Sequence, residues 1–237
     1  MFFLAKEAFA GLLLATAAFA APISPRADLT LIQQLLLSPT SASRLSLLSD
    51  TDFKFNFNDT TLHGAGTPGV TSGRGGRLVS ANAATFPILL KQGGAMSVGF
   101  IGPCGFNTPH LHPRATEMLI VTQGRLNSTL TTENGGRHVT SLLNTLEMAV
   151  YPIGSMHAQY NPDCEPAMLV AAFTAEDPGT AQIAQEYFGL EGEVVRGSAG
   201  GGVQIEGANV EAFRGKIPGN VVLGVESCLK KCGIAKR

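Results

Sequence analysis

The sequence predicts an all-β fold, with one barrel of antiparallel strands and short helices near both ends. Between Asp52 and Thr174, short runs rich in branched and aromatic residues alternate with turn residues. Eight such runs can be recognised: FKFNF, ATFPILL, AMSVGFI, TEMLIVT, RLNSTLTT, RHVTSLL, EMAVYP and AMLVAAF. Strands at this regular spacing favour a closed or double-sheet β-barrel. The 237 residues, 44% of them hydrophobic, suffice for one core and do not require a second.

Glycine-containing segments predict the turns and loops of this barrel. Glu133-Asn134-Gly135-Gly136 is a strong hairpin signal between two of the runs. The run GAGTPGVTSGRGGR (64–77) has no Gly-Lys-Ser/Thr for phosphate and no interleaved aromatic residues for RNA, so it predicts a flexible loop. The sequence contains no clear internal repeat. It therefore predicts one barrel and not two.

Helices are expected outside the barrel. Residues 28–37 have Asp28 as a candidate N-cap and end before a proline. A second helix is expected from Pro178 to Phe188, with Asp177 as its cap. A glycine-rich link then leads to two further short helical segments, near 208–215 and 221–232.

The N-terminus has the pattern of a secretory signal. Lys6 precedes an apolar stretch, residues 8–20, that is too short to span a bilayer and ends in Ala18-Phe19-Ala20, which a signal peptidase accepts. The predicted organisation has four segments: a signal peptide (1–20), an N-terminal helical extension (21–50), the β-barrel (51–190) and a C-terminal helical extension (191–237). The mature protein is expected in the extracellular region or the cell wall.

Charge and hydropathy exclude two classes of partner. The formal net charge is −1, so there is no electrostatic case for nucleic acid or for an anionic membrane surface. After the signal, no segment offers eighteen uninterrupted apolar residues, so a membrane span is not expected either.

Four residues have the types and spacing of metal ligands: His110, His112, Glu117 and His157. His110 and His112 are two residues apart, so in a strand they project from the same face. Glu117 lies an odd number of residues further on and needs a bend, which Pro113 favours. His157 must arrive from a second strand. The two other histidines, His63 and His138, are predicted to face solvent.

Three imidazoles and one carboxylate suit manganese, iron, nickel or zinc. Such a set leaves one or two positions open on an octahedral ion, where water or a small molecule can bind. The pattern therefore predicts a metal site that admits a small-molecule ligand.

The two segments around these ligands resemble the paired boxes of the cupin superfamily, and specifically those of germin-like proteins. The first box is matched by Gly105 (one residue closer than usual), His110, His112, Glu117 and Gly124. The second is matched by Pro152, Gly154, His157 and Asn161, whereas Leu146 stands where the family has glycine. The segment GPCGFNTPHLHPRATE is most similar to fungal and slime-mould spherulin-type members.

This resemblance implies a cupin double-stranded β-helix (a jelly-roll barrel), a manganese cofactor and oxidoreductase activity on superoxide or a small carboxylate. It also implies a homo-oligomer (a dimer, trimer or hexamer), since C-terminal helices of the family pack on a neighbouring subunit. These helices could instead cover the barrel's own mouth or edge. The alternative function is a non-catalytic protein of the cell wall or spore coat, in which the metal stabilises the barrel.

The resemblance also bears on the substrate. Cereal oxalate-oxidising members place one Asn three residues before the first ligand His, matched by Asn107, and another thirteen before it, where this chain has Ser97. Oxalate oxidation is therefore expected to be weak. Asn107 and Asn161 are expected near the cavity as polar groups that orient a ligand or a metal-bound water.

Export makes the four cysteines candidates for disulfides. If His110 faces His157 across antiparallel strands, Cys104 and Cys164 lie nearly opposite each other. This register favours Cys104–Cys164 and leaves Cys228 to pair with Cys232, although connectivity is not decided by sequence.

Two N-glycosylation sequons fit the same compartment. Asn58 begins one, in a predicted loop, and Asn127 begins the other, in a predicted strand. The loop position is the better candidate of the two.

Overall fold

The computed structural model describes residues 30–58, 69–198 and 216–235. In this part of the chain twelve strands form two antiparallel sheets. The strands are β1 (Val70–Gly73), β2 (Gly76–Ala81), β3 (Ala95–Ile101), β4 (Gly105–Leu111), β5 (Glu117–Gln123), β6 (Leu126–Thr131), β7 (Val139–Leu143), β8 (Met148–Tyr151), β9 (Met156–Tyr160), β10 (Ala167–Phe173), β11 (Ala181–Gln182) and β12 (Val222–Leu223).

The strand order is β1-β2-β3-β10-β5-β8 in the first sheet and β11-β4-β9-β6-β7 in the second, where β12 also pairs with β4. Alternate residues of β10, from Ala167 to Phe173, are buried, as expected for a strand with one face on the core. Leu119 and Leu169 of the first sheet and Leu126 of the second belong to one buried apolar cluster. The prediction of an all-β, double-sheet fold is confirmed.

Two predicted strands are absent, and two strands lie where a loop was predicted. Residues Asp50–Phe53 and Pro87–Leu89 form short 3-10 helices within or next to the runs FKFNF and ATFPILL. In contrast, β1 and β2 form a hairpin in the glycine-rich segment. Glycine is required there because a Cβ on Gly75 would lie 2.0 Å from the carbonyl oxygen of Val222. Glycines therefore let the C-terminal chain pass close to this hairpin.

Five helices are described: α1 (Leu31–Leu37), α2 (Ser41–Leu45), α3 (Ile183–Gly189), α4 (Gly192–Ser198) and α5 (Glu226–Lys231). Helix α1 is capped by Thr30 in a capping box with Gln33, while the predicted cap, Asp28, lies outside the described residues. None of the described helices is long and apolar enough to cross a bilayer. The helix expected at 208–215 also falls outside the described residues.

Helix α3 begins later than predicted. Asp177 is not its cap, because the Arg114 guanidinium binds both the carboxylate (2.8 Å) and the carbonyl oxygen (2.8 Å) of Asp177. The backbone N–H of Arg114 also donates to the carbonyl of Pro178. These contacts hold residues 177–180 outside helical structure, and Gln182 takes the cap position of α3.

The disulfides join Cys104 to Cys228 and Cys164 to Cys232, so the predicted pairing is wrong. The register argument did place Cys104 beside the right loop, since its N–H donates to the carbonyl of Asp163. Cys228 in α5 and Cys232 directly after it are one helical turn apart, so both sulfurs face the barrel. They reach different loops, since Cys104 lies between β3 and β4 and Cys164 between β9 and β10. Both disulfides therefore attach the C-terminal helix to the barrel.

Candidate metal centre and its cavity

Four buried side chains from three strands meet inside the barrel. His110 lies in β4, His112 follows that strand directly, Glu117 begins β5, and His157 lies in β9. One carboxylate oxygen of Glu117 lies 2.9 Å from Nε2 of both His112 and His157. The potential ligand atoms of all four lie within 4.8 Å of one another. The structure brings together every residue that the sequence predicts as a metal ligand.

The backbone explains this convergence. His110 and His157 are cross-strand partners in β4 and β9, so their side chains point to the same face. The chain then turns between Leu111 and Glu117, which is the bend that Pro113 predicts. Glu117 is in turn paired with Phe173 of β10 in the opposite sheet. The cluster therefore joins the two sheets.

Backbone carbonyls orient all three imidazoles. Nδ1 of His110 lies 2.8 Å from the carbonyl oxygen of Thr108, and Nδ1 of His157 lies 2.9 Å from that of Ser155. Nδ1 of His112 makes the same contact with Gly179 at 2.5 Å. A carbonyl oxygen only accepts hydrogen bonds, so each Nδ1 carries a proton and each Nε2 is the nitrogen left to face the centre of the cluster. This is the arrangement that metal-binding histidines require.

The electrostatics of the cluster favour the metal-binding protonation states. Burial lowers the pKa of His110 to about 3, and the nearby His157 adds to this effect. Burial alone would raise the pKa of Glu117, but hydrogen bonds from His112 and His157 outweigh it and lower the pKa to about 2. At neutral pH His110 is thus uncharged and Glu117 is ionised, and a set of imidazole and carboxylate donors fits a divalent cation.

A cavity of about 220 Å³ opens onto this cluster. Three of the four potential ligands, His110, His112 and Glu117, form part of its wall. The wall also contains apolar side chains, Leu78, Leu119, Leu169 and Phe173, and polar ones, Ser97, Asn107, Gln182 and Asn220. The space suits a small polar molecule next to the ion position.

Comparison with known proteins decides the family. The Cupin family matches residues 63–196 of the chain. This chain is a cupin. It is 37% identical to Spherulin-1A of Physarum polycephalum over 215 residues, which cover 90% of the chain and 82% of that relative. It is 32% identical to Putative germin-like protein 3-2 of Oryza sativa subsp. japonica over 185 residues, which cover 78% of the chain and 80% of that protein. The resemblance to germin-like and spherulin-type members is confirmed.

Solved structures agree with this assignment. The cupin is similar to a recombinant oxalate oxidase in complex with glycolate, with a TM-score of 0.60 and 26% identity. The match covers 73% of this chain and 84% of the oxalate oxidase. The jelly-roll architecture predicted for the cupin is thereby confirmed.

Asn107 lies at the cavity of this cupin, as predicted, but most of its hydrogen-bonding capacity is used by the protein. Its amide nitrogen donates to Oε1 of Gln159 at 2.9 Å, and its oxygen accepts from Nδ2 of Asn220. Asn220 also accepts a hydrogen bond from the backbone N–H of Thr108 at 2.9 Å. The C-terminal segment thus supplies a side chain that holds Asn107 in place.

Asn161 has a different role from the one predicted. It is fully buried and does not line the cavity. Its amide nitrogen donates to the carbonyls of Glu165 (2.7 Å) and Gly102 (3.1 Å), and its oxygen accepts from the N–H of Asp163 (2.9 Å). The expectation that Asn161 orients a ligand is therefore wrong, because its carboxamide connects the loops beside β3 and β9.

Sequence reasoning missed two buried residues behind the ligands of the cupin. The ring of Tyr151 stacks on His157 with centroids 4.1 Å apart, and its hydroxyl lies 2.7 Å from Oγ of Ser128. Burial raises the pKa of Tyr151 to about 12. Gln159 could have been found from the strand period of two, which places it on the face of His157. No sequence signal pointed to Asn220, which lies far along the chain.

The remaining predicted positions lie on the surface or outside the described residues. His138 is exposed, as predicted, whereas His63 falls outside the described part of the chain. Asn58 is in a turn, where its oxygen accepts a hydrogen bond from Arg77. Asn127 is half-buried in β6, and its amide nitrogen donates to the hydroxyl of Tyr160 at 2.6 Å. A glycan on Asn127 would cost this hydrogen bond, so the geometry favours Asn58.

Proposed function

We propose that this cupin is a secreted, manganese-dependent oxidoreductase that acts on a small carboxylate or on superoxide. The observation that carries the proposal is the cavity, because it exposes His110, His112 and Glu117 to a small molecule. A metal that only stabilised the barrel would not require such a space. The solved relative that binds glycolate supports a small carboxylate as the substrate class.

His110, His112, Glu117 and His157 would hold the ion. The bound ion would supply redox chemistry and attract an anionic substrate. Iron, nickel and zinc suit the same donors, and manganese is proposed because of the germin-like relationship.

The chain's own residues prepare the site. Carbonyl oxygens at Nδ1 orient the three imidazoles, so each ring presents Nε2 towards the ion position. The apolar residues of the cavity wall would displace water from a bound substrate, which would strengthen its polar contacts. Ser97, where oxalate-oxidising members have asparagine, lies 2.6 Å from Oγ of Ser80 and lines the cavity. The shorter side chain supports weak activity on oxalate.

A structural role in a cell wall or spore coat is the second candidate. Two disulfides attach the C-terminal helix to the barrel, which is a feature that favours durability as much as catalysis. In that case the purified protein would carry the metal and stay without activity on either substrate class.

Secretion and homo-oligomerisation complete the proposal. The two disulfides fit an oxidising compartment.

On the outer face of the first sheet, Met118 faces Val150 and Met148 faces Ile120, and the two methionines and Val150 are exposed. The outward positions of β3, β10, β5 and β8 carry no charged residue. An apolar face of this kind suits contact with a second copy of the chain.

The test combines metal analysis with activity assays. Protein purified from a secreting host is analysed for metal content and then supplied with superoxide, oxalate or glycolate. Oxidation of a carboxylate by dioxygen is followed by the hydrogen peroxide that it yields. Superoxide dismutation is followed by the rate at which superoxide disappears, because uncatalysed dismutation gives the same amount of peroxide. Manganese at one ion per chain, with either activity above that of the metal-free control, supports the proposal. A fully metal-loaded protein with neither activity above that control would favour the structural role.

A further inference from the structure

Gln182 is a cavity residue that the two family boxes do not contain. It lies in β11, where it is the cross-strand partner of His110 in β4. Cross-strand partners project from the same face of a sheet, so the side chain of Gln182 lies beside the imidazole of His110. It forms part of the cavity wall together with His110 and Glu117.

The hydrogen bonds of Gln182 leave its donors available. Its side-chain oxygen accepts from the hydroxyl of Thr108 at 2.5 Å. A carboxamide has one oxygen and an NH₂ group with two donors, so this contact fixes which end of Gln182 faces Thr108. Within the described residues the NH₂ group of Gln182 has no protein partner. Two N–H donors are thus held at the cavity, next to a potential metal ligand.

Two other polar side chains of the cavity wall are already engaged. Asn107 uses both its oxygen and its nitrogen in contacts with Asn220 and Gln159. The hydroxyl of Ser97 is paired with that of Ser80. A ligand with negatively charged oxygens beside His110 would therefore find neutral donors on Gln182.

The geometry points to Gln182 as the residue that binds a carboxylate oxygen of the substrate and sets its orientation beside His110. The inference rests on the small-carboxylate substrate class of the proposed function. In this arrangement Thr108 is a positioning residue, because its hydroxyl holds the amide of Gln182 in the orientation that presents N–H.

Equilibrium binding of oxalate and of glycolate to the manganese-loaded protein tests this inference. Gln182→Met keeps the length of the side chain and removes the donors, so both dissociation constants should rise about ten- to a hundredfold. Thr108→Val should weaken binding to a smaller extent. In the Gln182→Met background, Thr108→Val should cause no further loss, because the two residues act through one hydrogen bond.

The control variant is Gln123→Met, which makes the same substitution at an exposed position of β5 at the end remote from Glu117. It should bind both acids like the unaltered protein. Metal content and melting temperature are measured for every variant, so that loss of the ion or of the fold is separated from loss of a contact.

The outcomes separate the role of Gln182 from the small-carboxylate substrate class. Binding by Gln182→Met within about threefold of the unaltered protein, with the ion retained, would overturn the role of Gln182 and leave the substrate class intact. Additive losses in the double variant would show that Thr108 does not act through Gln182. If the manganese-loaded unaltered protein bound neither acid at millimolar concentration, the carboxylate class would fail, and the inference about Gln182 with it.

Discussion

Replacing Asn161 by alanine should destabilise the protein strongly and leave its metal site intact. The carboxamide of Asn161 is fully buried and makes three short hydrogen bonds with backbone groups of Gly102, Asp163 and Glu165. Alanine would leave two carbonyls and one N–H of partly buried loops without these partners. Each such bond contributes about 1 kcal/mol net, so the expected loss in free energy of unfolding is about 3 kcal/mol.

Urea unfolding of the oxidised, metal-free protein measures this difference, with the midpoint and slope compared between variants. Asn134→Ala is the matched control, because Asn134 is exposed in the turn between β6 and β7 and its loss should change stability by less than about 0.5 kcal/mol. Manganese content and carboxylate binding of Asn161→Ala, measured at low temperature where it stays folded, should equal those of the unaltered protein.

The opposite pattern would refute the reasoning. If Asn161→Ala lost less than about 1 kcal/mol but no longer bound a carboxylate, Asn161 would be a ligand-orienting residue, and its contacts with the loop would be incidental. Such a result would restore the role that the sequence predicts.

Three further predictions concern the metal site and one turn. His112→Ala should release the ion and lower the melting temperature, since an ion bound only to the folded state stabilises it; full occupancy by elemental analysis would contradict the ligand assignment. The metal-free protein should lose stability as the pH falls from about 6.5 towards 3, because unfolded His110 binds a proton in this range and folded His110, with a pKa of about 3, does not. Stability should fall further between about pH 4.5 and pH 2, because unfolded Glu117 binds a proton in this range and folded Glu117, with a pKa of about 2, does not. A melting temperature that did not change with pH at constant ionic strength would contradict both pKa shifts. Leu146→Gly should stabilise the protein by about 0.5–1 kcal/mol, measured by urea unfolding. Leu146 is 75% exposed and has a left-handed φ of 69°, which glycine adopts without strain. A loss of stability would show that the leucine side chain is needed.

The strand prediction failed where local sequence and tertiary contacts disagree. A run such as SGRGGR has low strand propensity, yet β1 and β2 form there through pairing with each other and with β3. The glycines are needed because the chain near Val222 approaches too closely for any side chain. Conversely, the aromatic run around Phe55 and Phe57 has high strand propensity, but its rings pack on each other and on Phe86 next to a 3-10 helix. Propensity describes a residue's own preference and not the space left by its neighbours.

The disulfides show the same limit at the level of side-chain direction. Strand register brought Cys104 near the loop that contains Cys164, and the hydrogen bond to Asp163 confirms that proximity. A disulfide also requires that the Cβ atoms point at each other. The position of α5 decides this, and no local pattern in the sequence reveals where that helix packs.

The sequence alone determined the ligand set, because ligand chemistry depends on residue type and on strand and turn periodicities that are local. His110, His112, Glu117 and His157 could be named from spacing, and the structure brings them together. Only the tertiary structure decided which groups surround them. Gln182 and Asn220 reach the cavity through β11 and through the C-terminal chain beside β12, whereas Asn161 turns away into a loop. These residues are remote in sequence from the metal ligands. Contacts between such distant residues depend on how the strands and loops pack, and no repeating pattern in the sequence reveals them.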